Sequence, residues 1–382
     1  MDDILLITNA DMSQQSGDVV LVNRRAREIF NLYNIKTVCF TVKGGINGTD
    51  YEYLKYLGSN SKKEIKEYVN KKKPCVIIFY GNRALMYVSF LRKITIDSKI
   101  ECKLILDLQG ALEEGIEHSQ GINYIKNLAR FYVRKYLLKK AVRIANGAFV
   151  VSDEMRKYCE KLLPQSIRND FQTYKIRCGV NEVISTNQKL EWRNEIRREW
   201  NIDNDTVVMV FSGYRKKWQK IDETIELFKE YDSKHDNVFF AFFCNVDQSF
   251  IDRLKIEFPK GNYTLKFLSF DEYYKYLCAC DVGFLIRDYN ITNKVAFPNK
   301  FSDYLNAGLM VATNKALPES YSILLKEKID FIDTDSTNLD LIYRKIHNRQ
   351  NEIISFYKKT EMLCNKELKY SSQIEKEMNH VF

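Results

Sequence analysis

The residues of this chain whose types and spacing could do chemistry are cations and one carboxylate, gathered in two short stretches. In the first, Gly213-Tyr214-Arg215-Lys216-Lys217-Trp218-Gln219-Lys220, four cations fall within six positions, directly after the strand-length apolar run Val207 to Ser212. Crowding them there is costly unless an anion neutralises them, the alternative being a solvated basic turn. In the second, Cys280 to Asn314, the apolar run Val282 to Ile286 passes through a polar loop into Pro298-Asn299-Lys300, with Asp303 following. Pro298 reads as a first-turn residue of a helix over Pro298 to Ala307, and Gly308 as the residue just past its end, where φ is often positive. A strand that feeds a helix N-terminus aims unpaired N–H groups and the positive end of the helix dipole at one point, a geometry that binds phosphate. Lys300 is placed to neutralise an anion there, and Asp303 to accept hydrogen bonds from the vicinal hydroxyls of a ribose. The pattern is that of a nucleoside diphosphate site.

These residues carry a resemblance. NKVAFPNKFSDYLNAGL resembles the donor-site segment of family-four retaining glycosyltransferases, closest to a bacterial surface-polysaccharide branch. The resemblance implies a GT-B fold, α/β, with two facing Rossmann-like domains and a cleft between them. In the family this segment carries two glutamates eight positions apart, the second binding the ribose; Asp303 stands at the second position and Val295 at the first. The contact made from the first position is therefore left to Asn293, Lys294 or the loop backbone. The resemblance also implies that Arg215 and a lysine hold the donor phosphates. The family lysine aligns nearer Gln219, so Lys217 or Lys220 takes its place. It further places Gly17 and Gly213 against the diphosphate and the Leu268-Ser269 backbone against the base.

Elements must hold these groups in place. A chain of 382 residues with 45% hydrophobic and 13% aromatic content fits two domains. They are expected over 1–185 (acceptor) and 186–350 (donor), with 351–382 forming a helix that crosses back. Apolar runs at Asp3–Thr8, Thr37–Thr41, Cys75–Tyr80, Lys103–Leu108 and Gly147–Ser152 alternate with helical patterns, which predicts a parallel sheet whose ligands sit beyond the carboxyl ends of its strands. The first loop, with Gln14-Gln15-Ser16-Gly17, is not GxGxxG, which disfavours a nicotinamide cofactor. Lys103–Leu108 ends in Asp107-Leu108-Gln109-Gly110, followed by Glu113 and Glu114. Asp107 and Gln109 could hydrogen-bond sugar hydroxyls, with Gly110 and Glu113 beside them, or Asp107 could be a structural cap.

Tyr263–Leu268 and a helix from Glu272 follow in the second half, and a final helix is expected from Asn351 to His380. Lys126 to Ala145 reads as a basic amphipathic helix, packed by a stripe including Leu128, Phe131, Tyr132, Tyr136, Leu137 and Leu138, or meeting anionic lipid headgroups. A net charge of +9 suits an anionic ligand, a membrane surface or nucleic acid equally.

Nine scattered cysteines, no CxxC and four separated histidines (His118, His235, His347 and His380) point away from zinc and toward a reducing compartment. The opening MDDILLITNADM lacks a basic n-region, and no apolar run reaches spanning length. The expectation is a cytoplasmic glycosyltransferase, peripheral to the inner face of the cell membrane. Its partners would be a nucleotide sugar and a glycan or lipid-linked acceptor, with no nucleic acid. No DxD-type carboxylate pair follows the apolar runs named above, so no cofactor or metal is expected. A nucleotide-sugar 2-epimerase and an inactive polysaccharide-assembly subunit are the alternatives.

Overall fold

The computed structural model describes residues 4–8, 10–11, 17–41, 51–55, 61–81, 83–168, 170–215, 217–336, 344–348, 352–378 and 381. Asp3, Gln14, Gln15, Ser16, Lys216, Asn351 and His380 of the stretches read above lie outside them. The chain divides into two units, one of Met1–Asn181, Val295–Phe297 and Leu368–Phe382, the other of Glu182–Lys294 and Pro298–Glu367.

In the first unit β1 (Ile4–Thr8), β2 (Thr37–Thr41), β3 (Tyr51–Lys55), β4 (Val76–Tyr80), β5 (Lys103–Leu108), β6 (Gly147–Val150) and β7 (Gln172–Lys175) form one parallel sheet. Its order is β3-β2-β1-β4-β5-β6-β7. The helices α1 (Gly17–Tyr33), α2 (Ser61–Lys72), α3 (Val88–Asp97), α4 (Glu114–Glu117), α5 (Gly121–Val142) and α6 (Asp153–Glu160) lie between strands. The core packs Ile4, Leu6, Val76, Ile105 and Phe149 against Val19, Val22 and Ile29 of α1.

The second unit repeats the logic with α7 (Thr186–Glu199), β8 (Val207–Ser212), α8 (Ile221–Lys234), β9 (Val238–Phe243), α9 (Gln248–Glu257), β10 (Tyr263–Lys266), α10 (Phe270–Cys278), β11 (Val282–Leu285), α11 (Ile291–Val295), α12 (Asn299–Asn306), β12 (Met310–Thr313), α13 (Pro318–Lys326) and β13 (Ile332–Asp333). Its parallel sheet has the order β10-β9-β8-β11-β12-β13. Stacked and edge-on rings of Phe228, Phe240, Phe242, Phe258 and Phe284 fill one side of it.

The central strands coincide with the apolar runs, because a strand covered on both faces reads as continuous hydrophobicity. The edge strands β3, β7 and β13 were not legible that way: YEYLK and QTYK mix polar residues, and β13 is two residues long. The expected single helix from Asn351 to His380 is instead a helix Ile353–Leu363, a π turn Cys364–Leu368 and a helix Tyr370–Met378. The break has a cause: the Val180 N–H donates to Leu368 O (3.0 Å) and the Tyr370 N–H to Val180 O (2.9 Å), so this backbone pairs with another segment rather than with its own helix. Ile353–Leu363 belongs to the second unit and Tyr370–Met378 to the first.

Lys189 on α7 is buried, its Nζ lying 5.8 Å from the Tyr357 ring centroid without a hydrogen bond among the described residues. Desolvation lowers its pKa from the ordinary lysine value, against the opposing pull of Cys364, Cys278 and Glu361. The unfolded chain therefore holds this proton to higher pH than the folded protein, so stability rises as pH climbs from the folded pKa toward the ordinary one. Lys189→Met should add about 1–2 kcal/mol at neutral pH and flatten that alkaline rise. Urea melts at neutral and alkaline pH check this, and a lower midpoint at neutral pH would contradict it.

Candidate functional site

In the second sheet the strand order reverses between β8 and β11. Loops leaving the carboxyl ends of two such strands diverge, and the crevice they open is where open α/β sheets bind ligands. The loop after β8 brings Gln219 there, the chain leaving β11 brings Arg287, and the first turn of α12 brings Lys300. Gln219 is buried, and its Oε1 accepts from Lys300 Nζ at 2.7 Å and from Arg287 Nη2 at 2.8 Å. Among the described residues neither cation has a carboxylate within ion-pair distance. Desolvation, reinforced by Arg287, holds the Lys300 pKa well below the usual lysine value, and desolvation lowers that of Arg287 to about 10. Two desolvated cations meeting on one neutral oxygen make a site that an anion would stabilise.

Local structure explains how they are held. Gly213 has φ +102, and a Cβ there would lie 2.5 Å from Lys300 Cε and Nζ, so only glycine both adopts this backbone and lets the lysine pass. Lys300 Nζ also lies 5.2 Å from the Phe211 ring centroid. Arg287 is clamped by Asn314, whose Oδ1 accepts from the Arg287 N–H (3.2 Å) and whose Nδ2 donates to Arg287 O (2.8 Å). Its guanidinium sits 5.6 Å from the Trp218 ring centroid.

Pro298 is not in the first helical turn. It is the extended N-cap of α12 (φ −70, ψ 136), and no side chain caps that end of the helix. The reason lies in its backbone: Pro298 O accepts from the Phe301 N–H at 3.0 Å, so the helix starts at Asn299. Gly308, with φ +79, follows the last turn as expected. Asp303 is buried on α12 and its Oδ1 accepts from Tyr274 OH at 2.6 Å. The neighbouring Tyr304 OH and Tyr273 OH both meet Ser212 Oγ at 2.9 Å, tying α12 and α10 to the end of β8.

Two other cations of the loop after β8, Arg215 and Lys220, are engaged elsewhere. Arg215 pairs with Asp247, donates to Asn245 O at 3.1 Å and stacks 4.3 Å over Phe250, at the start of α9. Lys220 pairs with Glu223 (2.7 Å) and Asp288 (2.6 Å). Lys217 begins a short 3-10 turn, and its side chain lies outside the described residues. Ser269 caps α10 in a capping box with Glu272, so that helix starts at Phe270 rather than Glu272, with half-buried Leu268 just before it. Asn293 lies within α11, an element the sequence did not announce, and its Nδ2 donates to Asp288 O at 2.9 Å. Val295, the last residue of α11, falls in the first unit while the rest of that helix is in the second, and its carbonyl accepts from Ser152 Oγ at 2.6 Å.

In the first unit Asp107 is buried at the end of β5, its Oδ2 accepting from Arg25 Nη1 and from Gln109 Nε2, each at 3.0 Å. Glu113 Oε2 accepts from Tyr158 OH at 2.8 Å, and Gly110 precedes it in the same turn, 3.7 Å from Glu114 Oε2 at the position a Cβ would take. Gly17 opens α1. Of the residues singled out in the sequence, Lys300 and Gly213 come together beside Gln219, and Asp303 lies on the same helix as Lys300; Arg287 and Tyr274 were not among those singled out. The available signal for Arg287 was a cation directly after a buried strand.

No protein-family model matches the chain, and no curated protein matches it significantly. Solved structures do. A glycosyltransferase from Rickettsia africae ESF-5 has a TM-score of 0.68 at 9% identity, covering 100% of this chain and 97% of that one. WaaG, a glycosyltransferase involved in lipopolysaccharide biosynthesis, has a TM-score of 0.67 at 10% identity, covering 98% and 99%. A structure of trehalose-6-phosphate from E. coli bound with UDP-2-fluoro glucose has a TM-score of 0.60 at 9% identity, covering 100% and 99%.

The fold is that of the GT-B glycosyltransferases. Within it, the described residues include no group of three or more His, Cys, Asp or Glu that could hold a metal ion, and no helix long and apolar enough to cross a membrane.

Proposed function

We propose that this chain is a glycosyltransferase that moves a sugar from a nucleoside diphosphate donor to a glycan or lipid-linked acceptor, with retention at the anomeric carbon. The observation that carries the reading is the convergence of Lys300 and Arg287 on Gln219 at the reversal point of the second sheet. As the glycosidic bond to the diphosphate breaks, negative charge grows on the leaving oxygens. Lys300, Arg287 and the uncapped N-terminus of α12 would stabilise that charge where water is largely excluded. These cations supply what Gln219, at the family's lysine position, cannot. Asp303, oriented by Tyr274, would accept hydrogen bonds from the ribose. Such a site neutralises a diphosphate without a divalent ion, so we propose that none is required for turnover.

The test is release of nucleoside diphosphate from a panel of nucleotide sugars, with and without acceptor extracts and EDTA. Turnover that survives EDTA is expected. Asp303→Ala should raise the donor KM about tenfold to a hundredfold, the loss of a charge-assisted hydrogen bond of about 1.5–3 kcal/mol. Absence of binding and turnover with every donor in a folded protein would overturn the reading.

A further inference from the structure

The helix α5 has two apolar stripes, and only one of them is used. Its packed side is Leu138, Ala141 and Val142, with Leu128 and Phe131 half-buried and Asn127 Nδ2 fastened to Gly115 O at 2.8 Å. Ile122, Ile125, Ala129, Tyr132, Val133 and Tyr136 recur at spacings of three and four, which places them along one face of a helix. That face points to solvent: Ile122, Ile125, Tyr132, Val133 and Tyr136 are 60–73% exposed. The sequence expectation of a helix packed by one stripe holding both Phe131 and Tyr132 is thereby corrected, since these residues fall on different sides.

The charges of α5 are one-sided in sign. Its 22 residues contain six cations (Lys126, Arg130, Arg134, Lys135, Lys139 and Lys140) and no Asp or Glu. None of the six is in an ion pair among the described residues. Lys126 flanks the stripe on one side, Lys135 on the other, and Lys139 and Lys140 lie at its carboxyl end.

We infer that α5 lies on an anionic lipid surface, its exposed stripe at the level of the headgroups and upper acyl chains and its cations on the lipid phosphates. Charge complementarity selects this occupant. A second copy of the chain would bring six more unneutralised cations against the first six. A nucleic acid would satisfy the cations but leave Ile122, Ile125 and Val133 without a partner. A membrane interface accepts both, and tyrosines such as Tyr132 and Tyr136 suit its boundary. The inference stands on α5 alone and does not depend on the donor-site reading.

The test is sedimentation of the full chain with vesicles of equimolar phosphatidylglycerol and phosphatidylcholine, and with phosphatidylcholine alone. The protein should pellet with the former, not the latter, and be released at about 1 M salt, where the screening length falls to about 3 Å. Replacing Ile122, Ile125 and Val133 together by Ser changes only exposed positions, so folding should persist, as circular dichroism will verify. Partition onto anionic vesicles should drop at least about tenfold. Replacing Arg130, Lys139 and Lys140 by Gln should lower it comparably.

The inference is overturned if the wild type ignores anionic vesicles, or if the serine variant binds them as the wild type does. It is also overturned if the wild type is a dimer that the serine variant dissociates, or if it binds duplex DNA while leaving vesicles unbound.

Discussion

Asp281→Asn should lower the unfolding free energy of this chain by about 3–5 kcal/mol, as expected when one partner of a buried charge cluster is removed. Asp281 is fully buried at the entry to β11, where its Oδ1 meets Arg193 Nη2 at 2.9 Å and its Oδ2 meets Arg197 Nη2 at 2.6 Å. Oδ2 also accepts from the Val208 N–H at 2.8 Å, so a single carboxylate fastens α7 to the two central strands of the second sheet. Asparagine keeps the shape but leaves two buried guanidiniums without a counter-charge. Arg197 is further held by the carbonyls of Ala279 (3.0 Å), Asp203 (2.9 Å) and Thr206 (2.8 Å), so it cannot swing out to water. Urea melts followed by tryptophan fluorescence read the loss, since Trp200 lies stacked 5.3 Å from Phe239 beside this cluster. Adding Arg193→Met to Asp281→Asn should recover part of it by removing one orphaned charge. An asparagine variant as stable as the wild type would show that the cluster contributes little.

Lys300→Met should weaken binding of nucleoside diphosphates about tenfold to a hundredfold while leaving nucleoside binding unchanged, because only the diphosphate carries the charge the lysine would meet. The proton makes this test sharper. In the ligand-free protein desolvation and Arg287 depress the Lys300 pKa, opposed by Cys244 and Asp303. A bound diphosphate adds an opposite charge and raises it, so between the two values binding takes up a proton. Affinity should therefore fall as pH rises through the ligand-free pKa. Calorimetry in buffers of differing ionisation enthalpy measures the uptake above about pH 7.5, where the phosphate itself, with a last pKa of about 6, no longer titrates. The methionine variant should show none. Wild-type affinity and an unchanged proton count in that variant would remove Lys300 from the site.

What the sequence by itself determined was the architecture and one end of the candidate site. Runs such as Lys103–Leu108 and Val207–Ser212 became β5 and β8 residue for residue, because strands covered on both faces must be apolar throughout. The Pro298-Asn299-Lys300 and Asp303 spacing marked a helix start with a cation and a carboxylate, because capping and dipole effects act within a few residues.

Only the tertiary structure decided which cations are available to an anion. Arg215, Lys220, Arg287 and Lys300 are indistinguishable as charges in a string. Arg215 and Lys220 are neutralised by Asp247, Glu223 and Asp288, whereas Lys300 from α12 and Arg287 from the chain after β11 meet at one amide of Gln219. The same holds for α5, whose periodicity marks apolar faces without saying which one is packed, and for Asp107, whose pairing with Arg25 spans 82 positions. Neutralisation and burial depend on what approaches a side chain through space, and contacts between distant segments leave no local pattern in composition or spacing.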